Sequence, residues 1–196
     1  MGETWETTTF PRRFEGSVKL PSPYKGPPTK AVEEAWEKLT PLHLMRIRES
    51  EFQNVNASKY SSQLYDEEGG RIAVFEAFHM IHCVKSLWQN TYPEYFSEIH
   101  AYNQANQDEW HEHTDHCADM LRQKLMCEAD SSLITYNWLK NHYYPHPNFN
   151  VEHQCRNYDR LLEVSEIRRV GRSFLRPEGK TVIDFVEEPF DPEAES

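Results

Sequence analysis

His79-Met80-Ile81-His82-Cys83 and His113-Thr114-Asp115-His116-Cys117 are two copies of one pattern, His-x-x-His-Cys, the second beginning 34 residues after the first. An α-helix turns about 100° per residue, so positions i, i+3 and i+4 share one face and each copy projects two imidazoles and a thiol from the same side. Both copies sit in segments that read as helices. Ile72 to Trp88 places Phe75, Phe78, Val84 and Leu87 around the first copy, and Ala105 to Cys127 carries the second with no Gly or Pro to interrupt it. Two such faces brought together surround a space with four histidines, and that is the arrangement of a metal site.

Outward from this pair, Val32, Ala35, Trp36 and Leu39 lie at i, i+3, i+4 and i+7, an amphipathic helix that Pro41 stops, with Trp36 as a core anchor. Residues 41–68 are polar and weakly periodic, and Gly69-Gly70 is a break. Asn90 to Ile99, with Pro93, reads as a connecting turn and a short helix. Asp130 is expected to cap a further helix with Leu133, Ile134 and Trp138 as its buried stripe. Residues 141–150 read as a loop, and a last helix follows Cys155 with Tyr158, Leu161, Leu162 and Ile167. Thr181 to Val186 alternates as an edge strand would, and the tail from Glu187 is acidic. Five of the twelve prolines fall in residues 1–28, predicting an extended arm along the body.

The expected fold is therefore mainly α: a single helical domain over 29–170 with long irregular loops, an extended N-terminal arm (1–28) and a tail (171–196) holding a short C-terminal strand. The 34-residue offset matches helical repeat arrays, but outside the doubled pattern the two segments share almost nothing, and two units are too few for a solenoid.

A chain of 196 residues can bury a core without staples. Its 21 Lys+Arg against 32 Asp+Glu leave a net charge of −11, and no basic run tracks a phosphate backbone, so nucleic acid is excluded as a partner. No apolar run approaches the roughly 18 residues of a membrane helix, and the N-terminus has no signal-peptide core. The expected compartment is the secretory lumen or a membrane surface if a targeting segment has been removed, and otherwise the cytoplasm. Asn56-Ala57-Ser58 is a glycosylation acceptor by sequence.

Imidazole suits Zn, Cu, Fe and Ni, and thiolate shifts the preference to Zn or Cu(I). If the thiols bind metal, two His and one Cys per helix make closed, structural sites. If they pair, Cys83 with Cys117 locks the two helices in register and Cys127 with Cys155 ties the second long helix to the last, leaving four His with open positions. The candidate metal ligands are His79, His82, His113 and His116. His111 and His153 are further candidates, with a polar surface role as the plainer reading of each. Glu76 and Asp115 are candidates to orient an imidazole. Trp88, Trp110, Tyr143 and Tyr144 are candidates to line a pocket, with core packing the plainer role for most.

The doubled motif resembles the signature of the UstYa-like proteins, fungal oxidases of ustiloxin-type cyclic peptide and other secondary-metabolite pathways. Tyr24-Lys-Gly-Pro-Pro-Thr through Trp36 and Leu39 is similar to that family's N-terminal segment, and Phe75-Glu-Ala-Phe-His79 to the run before its first motif. Asp115 to Asp130 is the most similar stretch, and His153-Gln-Cys155-Arg-Asn-Tyr-Asp159 resembles the family's C-terminal segment. Members commonly carry a transmembrane helix ahead of the Tyr-x-Gly-Pro segment, which this sequence does not, and Val164 stands where many have Trp. The resemblance implies a copper-dependent, O2-dependent oxidoreductase acting on a peptide or other natural-product intermediate by oxidative cyclisation, hydroxylation, desaturation or halogenation. It carries His79, His82, His113 and His116 over as the motif histidines. The rival expectations are a non-catalytic partner protein stapled by metal or disulfides, and a redox-neutral cyclase. A homo- or heterodimer is compatible with each.

Overall fold

The computed structural model describes residues 8–41, 44–55 and 62–171. These form a mainly helical protein whose strands pair only as three two-stranded antiparallel ribbons. Two compact units are distinguished, one from residues 1–41 with 76–160 and the other from 42–75 with 161–196.

In the first unit the chain opens on β1 (Thr9–Arg13), then α1 (Lys30–Leu39). Thr29 starts α1 from an extended conformation, its side chain accepting from Val32 N at 3.3 Å, and Thr40 ends it. Trp36 is 8% exposed and stacks on Trp88 at 5.8 Å between ring centroids, while Tyr24 packs edge-on against it at 5.5 Å. Trp88 in turn meets Phe96 and Tyr92 edge-on, so its role is core packing.

In the second unit, β2 (Met45–Ile47) pairs with β3 (Arg71–Ala73), and α2 (Glu49–Phe52) follows β2. The sequence reading left 41–68 without structure because these elements are too short for periodicity to register. They bury Met45, Ile47 and Leu64 with Val164 and Val170, and ion pairs join them: the Arg71 guanidinium, almost fully buried, bonds the Glu49 carboxylate and lies 4.1 Å from the Phe52 ring centroid. Arg168 bonds Glu51 in the same way, and Arg46 bonds Asp66 through both nitrogens. Gly70 has φ +89°, and a Cβ there would collide with the Ile47 carbonyl, so the turn ahead of β3 requires glycine.

The first unit continues with α3 (Glu76–Asn90), α4 (Ser97–Ala105) and α5 (Gln107–Glu128), the last about 33 Å long at 1.5 Å per residue. The helix expected from Ile72 begins at Glu76 instead, because Arg71–Ala73 is claimed by the ribbon with β2. Then come β4 (Thr135–Asn137), β5 (His146–Asn148), β6 (Glu152–Arg156) and the start of α6 (Tyr158–Ile167), whose later residues belong to the second unit. Tyr158 bonds the Leu39 carbonyl at 2.5 Å and packs edge-on against Phe78 at 5.6 Å; burial raises its phenol pKa.

The helix expected after Asp130 is absent. Its intended stripe is exposed, Leu133 at 80% and Trp138 at 78%, and Thr135–Asn137 is a strand paired with His146–Asn148. Asp130 accepts from Ser132 N at 2.8 Å, a local bond that turns the chain rather than starting a helix. The loop expected over 141–150 thus contains β5. β1 of the N-terminal arm pairs with β6, Phe10 opposite Cys155 and Arg12 opposite His153. The glycosylation triplet, the strand expected over Thr181–Val186 and the acidic tail lie outside the described residues. Among the described residues no helix is long and apolar enough to cross a membrane.

Candidate metal centre

α3 and α5 pack directly against one another. Their packed faces follow from spacing: His79, His82 and Cys83 on α3, and Trp110, His113, Thr114 and Cys117 on α5 at i, i+3, i+4 and i+7. Cys83 and Cys117 are each 0% exposed, the small side chains that let the two backbones approach.

The imidazoles meet crosswise. His79 faces His116 with ring centroids 5.3 Å apart, and His82 faces His113 at 5.8 Å. The first motif histidine of each helix meets the second of the other, the pairing antiparallel helices produce. A local two-fold axis between the helices, exchanging 79 with 113, 82 with 116 and 83 with 117, maps one pair onto the other. The thiols obey it too: Cys83 Sγ lies 3.7 Å from His79 Nε2, and Cys117 Sγ lies 3.8 Å from His113 Nε2. The doubled motif is thus a symmetric site built from one chain.

Glu76 breaks the symmetry, since its counterpart across the axis is Trp110. Its Oε1 lies 3.3 Å from His79 Nδ1. A carboxylate only accepts, so Nδ1 is the donor in this contact, and Nε2 is the nitrogen that faces His116. His79 Nε2 and His116 Nε2 are 3.4 Å apart. That is long for a hydrogen bond, but it is about the separation of two nitrogens that each sit about 2.0–2.1 Å from a tetrahedral ion. Burial, followed by the nearby His113, His79 and Lys85, lowers the pKa of His82 and favours the neutral ring that coordinates metals. Burial, then the hydrogen bond with Cys117, pushes the Cys83 thiol up to about 12, which keeps the proton on sulfur. All four cysteines are free thiols in the structure, Cys127 exposed and Cys155 half-buried. Among the described residues no three His, Cys, Asp or Glu side chains are arranged to hold one ion as they stand, so the site is two pairs of nitrogens rather than a closed shell.

The other candidates fall outside this centre. His111 lies against Trp110. His153 stacks on Phe14 at 3.7 Å and pairs with Asp130 at 2.5 Å, which ties the end of α5 to β6. Asp115 is exposed on the outer face of α5, and Tyr143 and Tyr144 pack on each other in the β4–β5 loop. A polar hollow of about 170 Å³ lies between Ser17–Val18 and β5, away from the histidines. The sequence reading missed Thr114. Its hydroxyl and the Trp110 indole N–H are buried without partners one turn apart on the His113 face, and the i, i+3, i+4, i+7 stripe was the available signal.

The family model described as "Mycotoxin biosynthesis protein UstYa" matches residues 3–166. The chain is 30% identical over 164 residues to the UstYa family oxidase phomYc of Diaporthe leptostromiformis, covering 79% of this chain and 62% of that one. It is 32% identical over 168 residues to phomYb of the same organism, covering 82% and 60%. To the UstYa family oxidase aprY of Aspergillus flavus it is 24% identical over 174 residues, covering 82% and 50%. The chain thus spans between half and two thirds of the length of these curated relatives. No solved structure matches it.

Proposed function

Since the chain belongs to the UstYa family of mycotoxin-biosynthesis proteins, we propose that it is a copper-dependent oxidase acting on a peptide or other natural-product intermediate of fungal secondary metabolism. The observation that carries this reading is the crosswise meeting of His79 with His116 and His82 with His113 between two packed helices. These four residues are the ones that would hold the metal. Bound there, copper would supply the one-electron redox chemistry of an O2-dependent oxidation.

The chain's own residues prepare that site. Glu76 fixes the tautomer of His79 and aims Nε2 inward. Burial favours the uncharged form of His82, the form that ligates. His113 and His116 are on the exposed side, which leaves the centre open to a guest. The unpartnered Trp110 N–H and Thr114 hydroxyl offer polar anchors beside His113. All four imidazoles come from one chain.

We further propose that Cys83 and Cys117 form a disulfide in an oxidising compartment, supported by their complete burial and mutual contact between α3 and α5. Cys127 and Cys155 are proposed as the second bridge, since the Asp130–His153 pair already holds their neighbouring segments together. A non-catalytic, stapled partner protein is the second reading, favoured by those same buried thiols. Metal analysis with O2 uptake separates the two. Stoichiometric copper and substrate-dependent O2 consumption, both lost in His79→Ala and His116→Ala with helicity kept, support the oxidase. Tightly held zinc without turnover supports the partner protein.

A further inference from the structure

The local two-fold of the metal centre holds for the imidazoles and fails for their neighbours. The exchange of 79 with 113 and 82 with 116 also exchanges 76 with 110 and 85 with 119, the residues one turn before and one turn after each motif. Sorted by the pair they flank, these neighbours make two unlike ends. His79 and His116 have Glu76 and Asp119 beside them, whereas His82 and His113 have Lys85 and Trp110. One imidazole pair is flanked by two carboxylates and the other by a cation and an indole.

The contacts follow that division. Glu76 Oε1 accepts from His79 Nδ1 at 3.3 Å. Trp110, in the equivalent place, lies against His111 with ring centroids 4.6 Å apart, and an indole only donates, so it offers the His113 ring no acceptor. His116 lies within the electrostatic reach of Asp119, and His82 within that of Lys85. Arg122 at 2.7 Å and Gln123 at 2.6 Å already bond Asp119, so Glu76 is the stronger of the two acidic influences. The pair with the carboxylates is also the closer one, with rings 5.3 Å apart against 5.8 Å and Nε2 atoms 3.4 Å apart. A divalent ion held by neutral imidazoles keeps its full charge, so carboxylates within a turn favour it and an ammonium opposes it. An anionic acceptor on the remote nitrogen also makes the ligating nitrogen a better donor.

We propose that the two imidazole pairs are unequal metal sites: His79 with His116 takes the first ion and holds it, and His82 with His113 takes a second one weakly and is the half at which ligands exchange. This rests on the ligand set proposed for the oxidase. Each pair supplies two positions of a tetrahedral ion and leaves the others to water or a guest. The exchangeable positions gather at the His82–His113 end, beside the unpartnered Trp110 N–H and Thr114 hydroxyl.

The test is titration of the metal-free 196-residue chain with Zn(II), a redox-silent ion that imidazole suits, in competition with a coloured chelator. Two equivalents are expected, the first at least about tenfold tighter than the second. His79→Ala with His116→Ala should remove the tight equivalent and leave the weak one, and His82→Ala with His113→Ala should do the converse. Glu76→Gln keeps all four rings and should weaken the first equivalent by about 10–100-fold while sparing the second. Lys85→Gln should tighten the second by about threefold. Far-UV circular dichroism verifies helicity, and the Glu76 and Lys85 variants decide the matter if a double variant fails to fold. Two equal equivalents, a single equivalent lost alike in both double variants, or zinc unaffected by either of them overturns the proposal. Copper content and O2 uptake judge the oxidase separately: a copper oxidase with two equal pairs overturns this inference alone, and ordered zinc binding without copper-dependent turnover overturns the oxidase alone.

Discussion

Glu76 meets the proposed metal centre through the Nδ1 of His79, the ring nitrogen turned away from His116, so its role is separable from ligation. Glu76→Gln is expected to weaken copper binding by about 10–100-fold in a competition titration with a coloured chelator, because an amide no longer anchors the ring as an anion does. Unfolding in the absence of metal should change little. A second residue-scale expectation concerns Asp130, which the hydrogen bond from His153, then those from Ser132, hold at about 2, below the ordinary 3.8. A carboxylate depressed by folding stabilises the native state above its unfolded pKa. Stability should therefore fall as the pH drops from about 4 to about 2, and Asp130→Asn should flatten that segment of the profile measured by thermal unfolding. The His-x-x-His-Cys doubling made the facing of these helices legible, since identical residues at identical spacing select one face of each, and the rings meet in pairs there. Thr114 was hidden because a hydroxyl inside a helix is ordinary; only the orphaned atom in the packed structure distinguishes it.

Elements that were legible share length with either an apolar stripe, as in α1 and α6, or a run without Gly or Pro, as in α5. α1, α5 and α6 fall within a residue or two of their expected bounds, and Thr29 and Pro41 fix α1 at both ends. Thr29→Ala is expected to cost about 1 kcal/mol through the lost cap. Trp36→Ala should cost about 3–5 kcal/mol in urea unfolding, and Trp36→Phe much less, since the indole N–H has no partner to lose. The failure at 130–139 has a physical cause. Leu133, Ile134 and Trp138 supply apolar positions but no stripe long enough to choose between periods, and Asp130 spends its side chain on Ser132 and His153. The three-residue ribbons were invisible for the same reason, since three residues hold only one and a half periods of a strand's alternation.

At the scale of the molecule, the doubled motif becomes a pseudo-symmetric centre only because α4 returns the chain so that α5 runs antiparallel to α3. The sequence supplied the faces, and the intervening turn supplied their meeting. The second unit buries Met45, Ile47, Leu64, Val164 and Val170 and adds the pairs Arg71–Glu49, Arg168–Glu51 and Arg46–Asp66, whose partners are distant in sequence, which no reading of local periodicity reaches. The centre itself is most directly examined by a crystal of the copper-loaded protein, with anomalous scattering collected on both sides of the copper edge. Anomalous density is expected between the His79–His116 and His82–His113 rings, with imidazole nitrogens about 2 Å from it. Copper found only elsewhere on the protein, with these four rings free of metal, would contradict the assignment.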